Sequence, residues 1–245
     1  MRNGILVGFL AVTLTLGGCG HSQAEQGRDE TRTFALKDFD QVTLSGADDV
    51  NVIYGRDFAV AATGAPHALD RLDIRTEGAT LIVAQKEDKG WKIGWDTKSA
   101  SALVTVTLPM IRAATLSGAG DLNISSATPE DAFAARLSGS GDMTVSNSRA
   151  KAVDLTLTGA GSMKLRGVAD TVKAQLTGSG SIDAVALTAR EVTADLTGAG
   201  NISASASELA TGTLSGVGNV DVVGPARCAV LKTGVGDVRC GVARE

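Results

Sequence analysis

The chain has 245 residues and a formal charge of -4, with 23 basic and 27 acidic side chains and no basic run able to neutralise a row of phosphates, which argues against a nucleic-acid partner. Apolar residues make up 43% of it but aromatics only 3%, so any core is filled by Val, Leu, Ile and Ala and is narrow. The 30 glycines would suggest disorder if scattered, but they fall at a regular interval, which points to a repeat.

In chain order, Arg2 and the amino terminus precede an uncharged apolar segment from Ile5 to Leu16 that is too short to span a bilayer comfortably. Residues 1–18 therefore read as an export signal. Leu16-Gly17-Gly18-Cys19 resembles a bacterial lipobox, which would make Cys19 the lipidated first residue and the membrane a partner through that anchor. Gly17 is less typical than Ala or Ser there, and the alternative is ordinary cleavage after Ser22-Gln23-Ala24. Because Gly20 and not Asp stands after the cysteine, enteric sorting by analogy sends the protein to the outer membrane. Residues 19–32 are polar, lack periodicity and read as a flexible tether. The folded domain is expected over residues 33–243.

Val42, Leu44, Val50 and Val52 alternate around Ser45-Gly46-Ala47-Asp48-Asp49, and Leu81 to Val83 and Leu103 to Leu108 are further strand candidates. The amino-terminal half thus reads as a less regular version of the carboxyl-terminal half, with longer coils. The insertion from Lys86 to Lys98 looks like a surface hairpin and carries both tryptophans. Trp91 and Trp95 are a candidate sugar-stacking platform, the bland alternative being that they cover an end or side of the domain.

From residue 116 onward Leu-Ser-Gly-Ala-Gly-Asp-Leu recurs as Leu-Ser-Gly-Ser-Gly-Asp-Met at Leu137 and Leu-Thr-Gly-Ala-Gly-Ser-Met at Leu157, then at Leu176, Leu196, Leu214 and, degenerately, Lys232. The first glycines, from Gly118 to Gly234, are spaced by 21, 20, 19, 20, 18 and 18 residues, a solenoid signature. Aligned on them, Leu116, Leu137, Leu157, Leu176, Leu196 and Leu214 stand two places before, and Leu122, Met143, Met163, Ile182, Ile202 and Val220 four places after. The period of two is that of strands, so these columns face inward, while Thr115, Arg136, Asn123 and Lys164 face water. The fold class predicted is all-β, a single-stranded parallel β-helix of about 20 residues per coil rising about 4.8 Å per coil. Glycine at the corners suits a tight turn that needs positive φ. The Ser/Thr column before it fits a hydroxyl ladder, and Asp121, Asp142, Ser162, Ser181, Asn201, Asn219 and Asp237 fit side chains closing each turn on their own backbone.

The alternation around Ser45-Gly46, then Gly55 and Asp57 with the Phe58 to Val60 strand, then Leu108-Pro109 feeding the Leu-Ser-Gly-x-Gly turns, resembles the head GIN domain of the putative auto-transporter adhesin family over roughly residues 33–242. The resemblance implies a parallel β-helix related in shape to the pectin lyases, with adhesion proposed and no catalytic residues assigned. No translocating β-barrel or stalk is read before Glu245, so self-export is not expected of this chain.

Chemistry is sparse. His21 lies in the tether and His67 in a predicted loop, so no histidine pair suggests zinc or a proton relay. No Gly-x-Ser-x-Gly elbow lies between a strand and a helix, and Ser140 and Ser179 read as corner residues. Asp121 and Asp142 stand on adjacent coils, but their column turns into Ser162 and Ser181, which does not sustain a calcium row. We expect no enzyme, no cofactor and no metal. The reading is an envelope lipoprotein whose solenoid binds or adheres to a glycan or protein surface. The alternatives are a polysaccharide-acting β-helix enzyme and a purely structural envelope protein; the sequence sets no oligomeric state.

Cys228 and Cys240 lie six residues before and six after Gly234, in the inward columns of Val153, Val172 and Val192 and of Ile124, Val145 and Leu165. In an oxidising compartment they are expected to form a disulfide that caps the last coil. Facing sheets about 10 Å apart would be too far for it, and the alternative is two buried free thiols.

Overall fold

The computed structural model describes residues 29–86 and 101–242. The repeat region is a β-solenoid of about six turns with roughly 20 residues per coil over residues 113–240. It is built from β8 (Ala113–Leu116), β9 (Leu122–Ile124), β10 (Ala132–Leu137), β11 (Asp142–Gly159), β12 (Ser162–Gly178), β13 (Ser181–Gly198), β14 (Asn201–Leu214), β15 (Val217–Val223), β16 (Arg227–Lys232) and β17 (Val235–Val242), numbered after the elements of the amino-terminal part. Every strand pairing between these coils is parallel and joins like positions: Leu137 to Leu157, Leu157 to Leu176, Leu176 to Leu196 and Leu196 to Leu214. The period-two alternation dictates the rest. All six leucines of the column are at most 1% exposed, as are Leu122, Met143, Met163, Ile182, Ile202 and Val220. Each fully buried side chain of this kind contributes about 1.5–3 kcal/mol relative to exposure.

The amino-terminal part comprises β1 (Glu30–Phe34), β2 (Gln41–Ser45), β3 (Asp49–Tyr54), β4 (Ala59–Gly64), α1 (Pro66–Arg71), β5 (Leu72–Glu77), β6 (Thr80–Gln85) and β7 (Leu103–Leu108). Here the simple expectation of one longer coil after another is corrected. β2 lies between β6 and β8, and β3 between β7 and β9, all parallel. The chain therefore enters the rod one coil in from its end, goes outward to build the end coil from β6 and β7, and returns to β8. The end coil is covered by antiparallel strands, β5 on β6 and β4 on β7, with β1 antiparallel to β4. A coil at the end of a solenoid has no next coil to pair with, and the antiparallel strands supply partners for it. The helix α1 was not expected; Pro66 starts it, Ala68 and Leu69 enter the core, and His67, predicted in a loop, is exposed on it.

The corner glycines are needed for a reason other than the expected one. Positive φ occurs at some corners, such as Gly178 (147°) and Gly198 (141°), but not at Gly118, Gly120, Gly139 or Gly141. What all of these share is close approach of stacked backbones. A Cβ on Gly118 would overlap the carbonyl oxygen of Gly46, one on Gly139 that of Gly118, and one on Gly120 that of Asp48. The proximity is that of a hydrogen-bond ladder: the Gly46 carbonyl accepts Ala119 N–H at 2.8 Å, the Gly118 carbonyl accepts Ser140 N–H at 3.0 Å, and the Gly159 carbonyl accepts Ser179 N–H at 2.8 Å.

Chemical denaturation of three variants checks the packing of core and corner. Leu176→Ala should cost about 2–5 kcal/mol, because stacked neighbours hold the cavity open, and Thr177→Ala much less. Gly120→Ala should destabilise by about 1–3 kcal/mol although its φ suits any residue, since the added carbon meets the backbone of the coil below; a neutral Gly120→Ala would return the explanation to turn conformation.

Candidate functional site

After each glycine corner the strand presents its odd-numbered side chains, counted from the corner, to solvent. The first of these columns runs Asp49, Asp121, Asp142, Ser162, Ser181, Asn201, Asn219, Asp237. These side chains do not close their own turns, as expected from sequence, but bond to the next coil. Asp49 accepts the N–H of Asp121 at 2.9 Å, Asp121 that of Asp142 at 3.2 Å, and Asp142 that of Ser162 at 3.1 Å together with its hydroxyl at 2.7 Å. Asn201 likewise accepts from Asn219, and Asn219 from Asp237. Where the column holds serine, whose oxygen reaches less far, the next N–H bonds to a glycine carbonyl: Ser181 to Gly161 and Asn201 to Gly180. The Ser/Thr column before the corner is partly the expected hydroxyl ladder, with Ser45 and Ser117 oxygens 3.0 Å apart and those of Thr197 and Ser215 3.2 Å apart.

The second outward column on the same face is different. At the amino-terminal end it runs Thr105, Asn51, Asn123, Thr144, in register on four successive coils. None of these four side chains hydrogen-bonds to another described residue. Beside them a shallow depression of about 240 Å³ is lined by Asn51, Ile53, Asn123, Ser125 and Ser146 among others, with Ile53 45% exposed. Tyr54 and Leu103, at the ends of β3 and β7, are also exposed apolar side chains. At this end of the rod Asp48, 2% exposed, is held by the Gln85 amide at 2.9 Å and the Ala102 N–H at 2.8 Å. These two partners, Gln85 and Ala102, lie on either side of residues 87–100 in the chain, so one carboxylate ties together the end of β6 and the residue before β7. Trp91 and Trp95 lie outside the described residues, as does Cys19.

The opposite edge of the coils carries a feature that the sequence reading missed. Asp131, Lys151, Asp170, Arg190 and Glu208 stand on five successive coils and alternate in sign. Lys151 binds Asp131 at 2.9 Å, and Arg190 grips Glu208 with two bonds of 2.8 and 3.0 Å. The Lys151 hydrogen bond, with its charge, holds the Asp131 carboxyl below its ordinary pKa, and Arg190 does the same for Glu208. Asp170 adds its charge to both cations and helps to raise their pKa. The signal was present as charges recurring every 18 to 20 residues, hidden among other polar positions. Next to it, Thr128-Pro129-Glu130 forms a lip over Arg149, Ala150 and Lys151, leaving an open groove of about 620 Å³ floored in part by Val168 and Ala169. Among the described residues no group of three or more His, Cys, Asp or Glu side chains is placed to hold a metal.

At the carboxyl-terminal end Cys228 and Cys240 form the expected disulfide. Cys228 continues the column of Val153, Val172, Val192 and Ala210, and Cys240 stacks on Val222. The objection of sheet separation is met by convergence, the two Cα atoms being 6.2 Å apart. The equivalent pairs shrink along the rod, from Phe133 and Val145 through Val153 and Leu165 to Val192 and Ala204, then Ala210 and Val222. Smaller contents let the strands close together. The alternative of two free thiols is thereby set aside.

Stacked glycine corners, an amino-terminal antiparallel cap and a solvent-facing polar sheet define the molecule as a capped parallel β-solenoid. More narrowly, the chain belongs to the family described as putative auto-transporter adhesin, head GIN domain, whose model matches residues 38–226. Among solved structures it is similar to a putative adhesin from Bacteroides fragilis, at 22% identity and a TM-score of 0.78, covering 87% of this chain and 97% of that one. A putative lipid binding protein from Parabacteroides distasonis is similar at 20% identity and a TM-score of 0.69, covering 88% and 97%. A putative adhesin from Parabacteroides merdae is similar at 18% identity and a TM-score of 0.65, again covering 88% and 97%. At these identities the likeness is one of fold. No curated protein sequence matches the chain significantly.

The charged edge and the closed end can each be probed in solution. The lowered pKa values of Asp131 and Glu208 add stability above the unfolded carboxylate value of about 4, and that contribution is lost as pH falls through the folded values. Wild-type protein should thus lose more of its denaturation midpoint on acidification below about pH 4 than Lys151→Gln/Arg190→Gln does, with the difference shrinking in high salt. For the disulfide, thiol labelling of unfolded, unreduced protein should leave Cys228 and Cys240 unmodified. Reduction should destabilise by about 3 kcal/mol, as for a closed loop of about 13 residues.

Proposed function

We propose that this protein is an exported, lipid-anchored adhesin of the cell envelope that works by binding and not by catalysis. Cys19 carries the lipid, residues 20–32 act as the tether, and the outer membrane is the destination. The observation that carries the reading is the amino-terminal part of the polar face: regular, uncovered among the described residues, and bearing amides and hydroxyls that the fold itself does not use. The adhesin descriptions of the family and of two of the similar structures support it. The described side chains support the non-enzymatic part, since Ser140 and Ser179 sit in corners and the Ser162 hydroxyl is spent on Asp142 of the neighbouring coil as a rung of the stack. The insertion with Trp91 and Trp95 issues from the same end of the rod and is proposed as an additional contact for a glycan or protein partner.

Metabolic labelling with a fatty-acid probe should mark the wild type and leave Cys19→Ala unmarked, with labelled protein fractionating to the outer membrane. Equal labelling of both forms would remove the anchor. Cells displaying the protein should adhere to envelope or host-surface material, and Cys19→Ala cells should not. Retained adhesion without the anchor, or none with it, would count against the adhesin reading.

A further inference from the structure

We infer that the four-coil track Thr105, Asn51, Asn123 and Thr144 is a binding site for an extended, uncharged polysaccharide chain lying along the rod axis. The inference deepens the adhesin reading and rests on it.

The first reason is unused hydrogen-bonding capacity. Some outward polar side chains are engaged from coil to coil, as Asn201 is with Asn219, Thr193 with Thr211 and Thr213 with Asp195, while others such as Gln175 and Ser203 stand singly without a partner among the described residues. In the track, two amides and two hydroxyls stand in register, and none bonds to another described residue. The stack does not need them, yet each keeps both a donor and an acceptor.

The second reason is geometry. Strand-to-strand bonds run along the rod axis, so the face offers side chains and no free backbone groups. An extended peptide therefore cannot be added here as a strand, and recognition has to come from side chains. Amides and hydroxyls repeating about every 4.8 Å match a ligand that presents paired hydroxyls at nearly the same interval, as an extended chain of pyranoses does. Ile53, half-exposed beside Asn51, gives an apolar surface for the C–H face of a sugar ring.

The third reason is charge. Among the described residues, the three carboxylates flanking the track, Asp49, Asp121 and Asp142, have no Lys or Arg beside them on this face until Lys164, on the coil after Thr144. A uronate or phosphate polymer would meet repulsion, whereas a neutral chain meets none. Lys164 also marks where the track ends, which limits it to about four sugar units at one per coil.

The test uses the full-length protein purified in detergent, titrated with neutral β-linked oligosaccharides of increasing length and with oligogalacturonates of matched length. Affinity for a neutral series should rise with length and level off near about four units. Asn51→Ala/Asn123→Ala should weaken it about tenfold, as for the loss of one or two net hydrogen bonds, with an unchanged melting temperature. Lys164→Ala should leave it unaltered. Equal affinity for galacturonates, or undiminished binding by the double variant, would overturn the track. If the protein adheres to cells but to no neutral glycan, the track fails while the adhesin reading stands; if it adheres to no surface, both fall.

Discussion

The structure depends on how closely one coil can lie on the next at the glycine corner. The carbonyl of Gly118 accepts a hydrogen bond from Ser140 on the following coil, and a Cβ at Gly139 would occupy the place of that carbonyl. The lack of side chains at the corner lets the backbones meet at strand spacing even where the chain turns, so the ladder runs unbroken around the corner. Everything else inherits that alignment. Once corners stack, residues two before and four after must stack as well, and the leucine column and its partners form a continuous narrow core. A core of this width has little room for aromatic rings, which accounts for the chain's 3% aromatic content and its reliance on Leu, Val, Ile and Ala.

A rod assembled in this way has an end problem that its middle does not. The two ends are treated differently, in keeping with the elements available to each. At the amino-terminal end the threading is out of order, so that β5 and β4 can close over β6 and β7 in antiparallel fashion. Exposed charges on the covering strands, such as Arg32 paired with Asp70 and Arg75 paired with Asp73, make those edges poor templates for further pairing. At the other end the inward positions of the last described coil are less buried than on the coil before: Cys228 is exposed and Val238 and Cys240 are half-buried, whereas Ala210, Val220 and Val222 are buried. There the core tapers and a covalent bond between Cys228 and Cys240 replaces the packing that a further coil would have given.

What was legible in the sequence was what is encoded locally or by strict recurrence. Period-two alternation placed Leu176 inside and Thr177 outside, and recurrence every 18 to 21 residues placed Cys228 and Cys240 in opposed inward columns. What was not legible depends on which strands become neighbours. Nothing in Val42 to Val52 tells that β2 will lie between β6 and β8, since alternation specifies a face and not a partner. The Asx column was recognised but given the wrong bond, because an aspartate after a turn can serve its own turn or the next coil equally well until the coil spacing is known. The charge ladder from Asp131 to Glu208 and the helix at Pro66 were overlooked for the same reason: each is defined by its neighbours in space. In the candidate site, Asn51 and Asn123 were visible as outward residues, but that they are unengaged is a fact about what surrounds them.

The distribution of polar work separates scaffold from site. The Asx column, the hydroxyl ladder and the alternating charges all spend their hydrogen bonds on holding one coil to the next, and all are spread along much of the rod. A feature that served only stacking should be spread likewise. Outward amides and hydroxyls without a side-chain partner among the described residues also occur farther along, as at Gln175 and Ser203, but at the amino-terminal end two amides and two hydroxyls of this kind follow one another in register on four coils, next to the half-exposed Ile53. Asn201 and Asn219, in the column next to the corner, are paired from coil to coil, whereas Asn51 and Asn123, one column further along the same face, are not. Residues of one type in one fold, engaged in one place and idle in another, locate the part of the surface on which demands other than folding have acted.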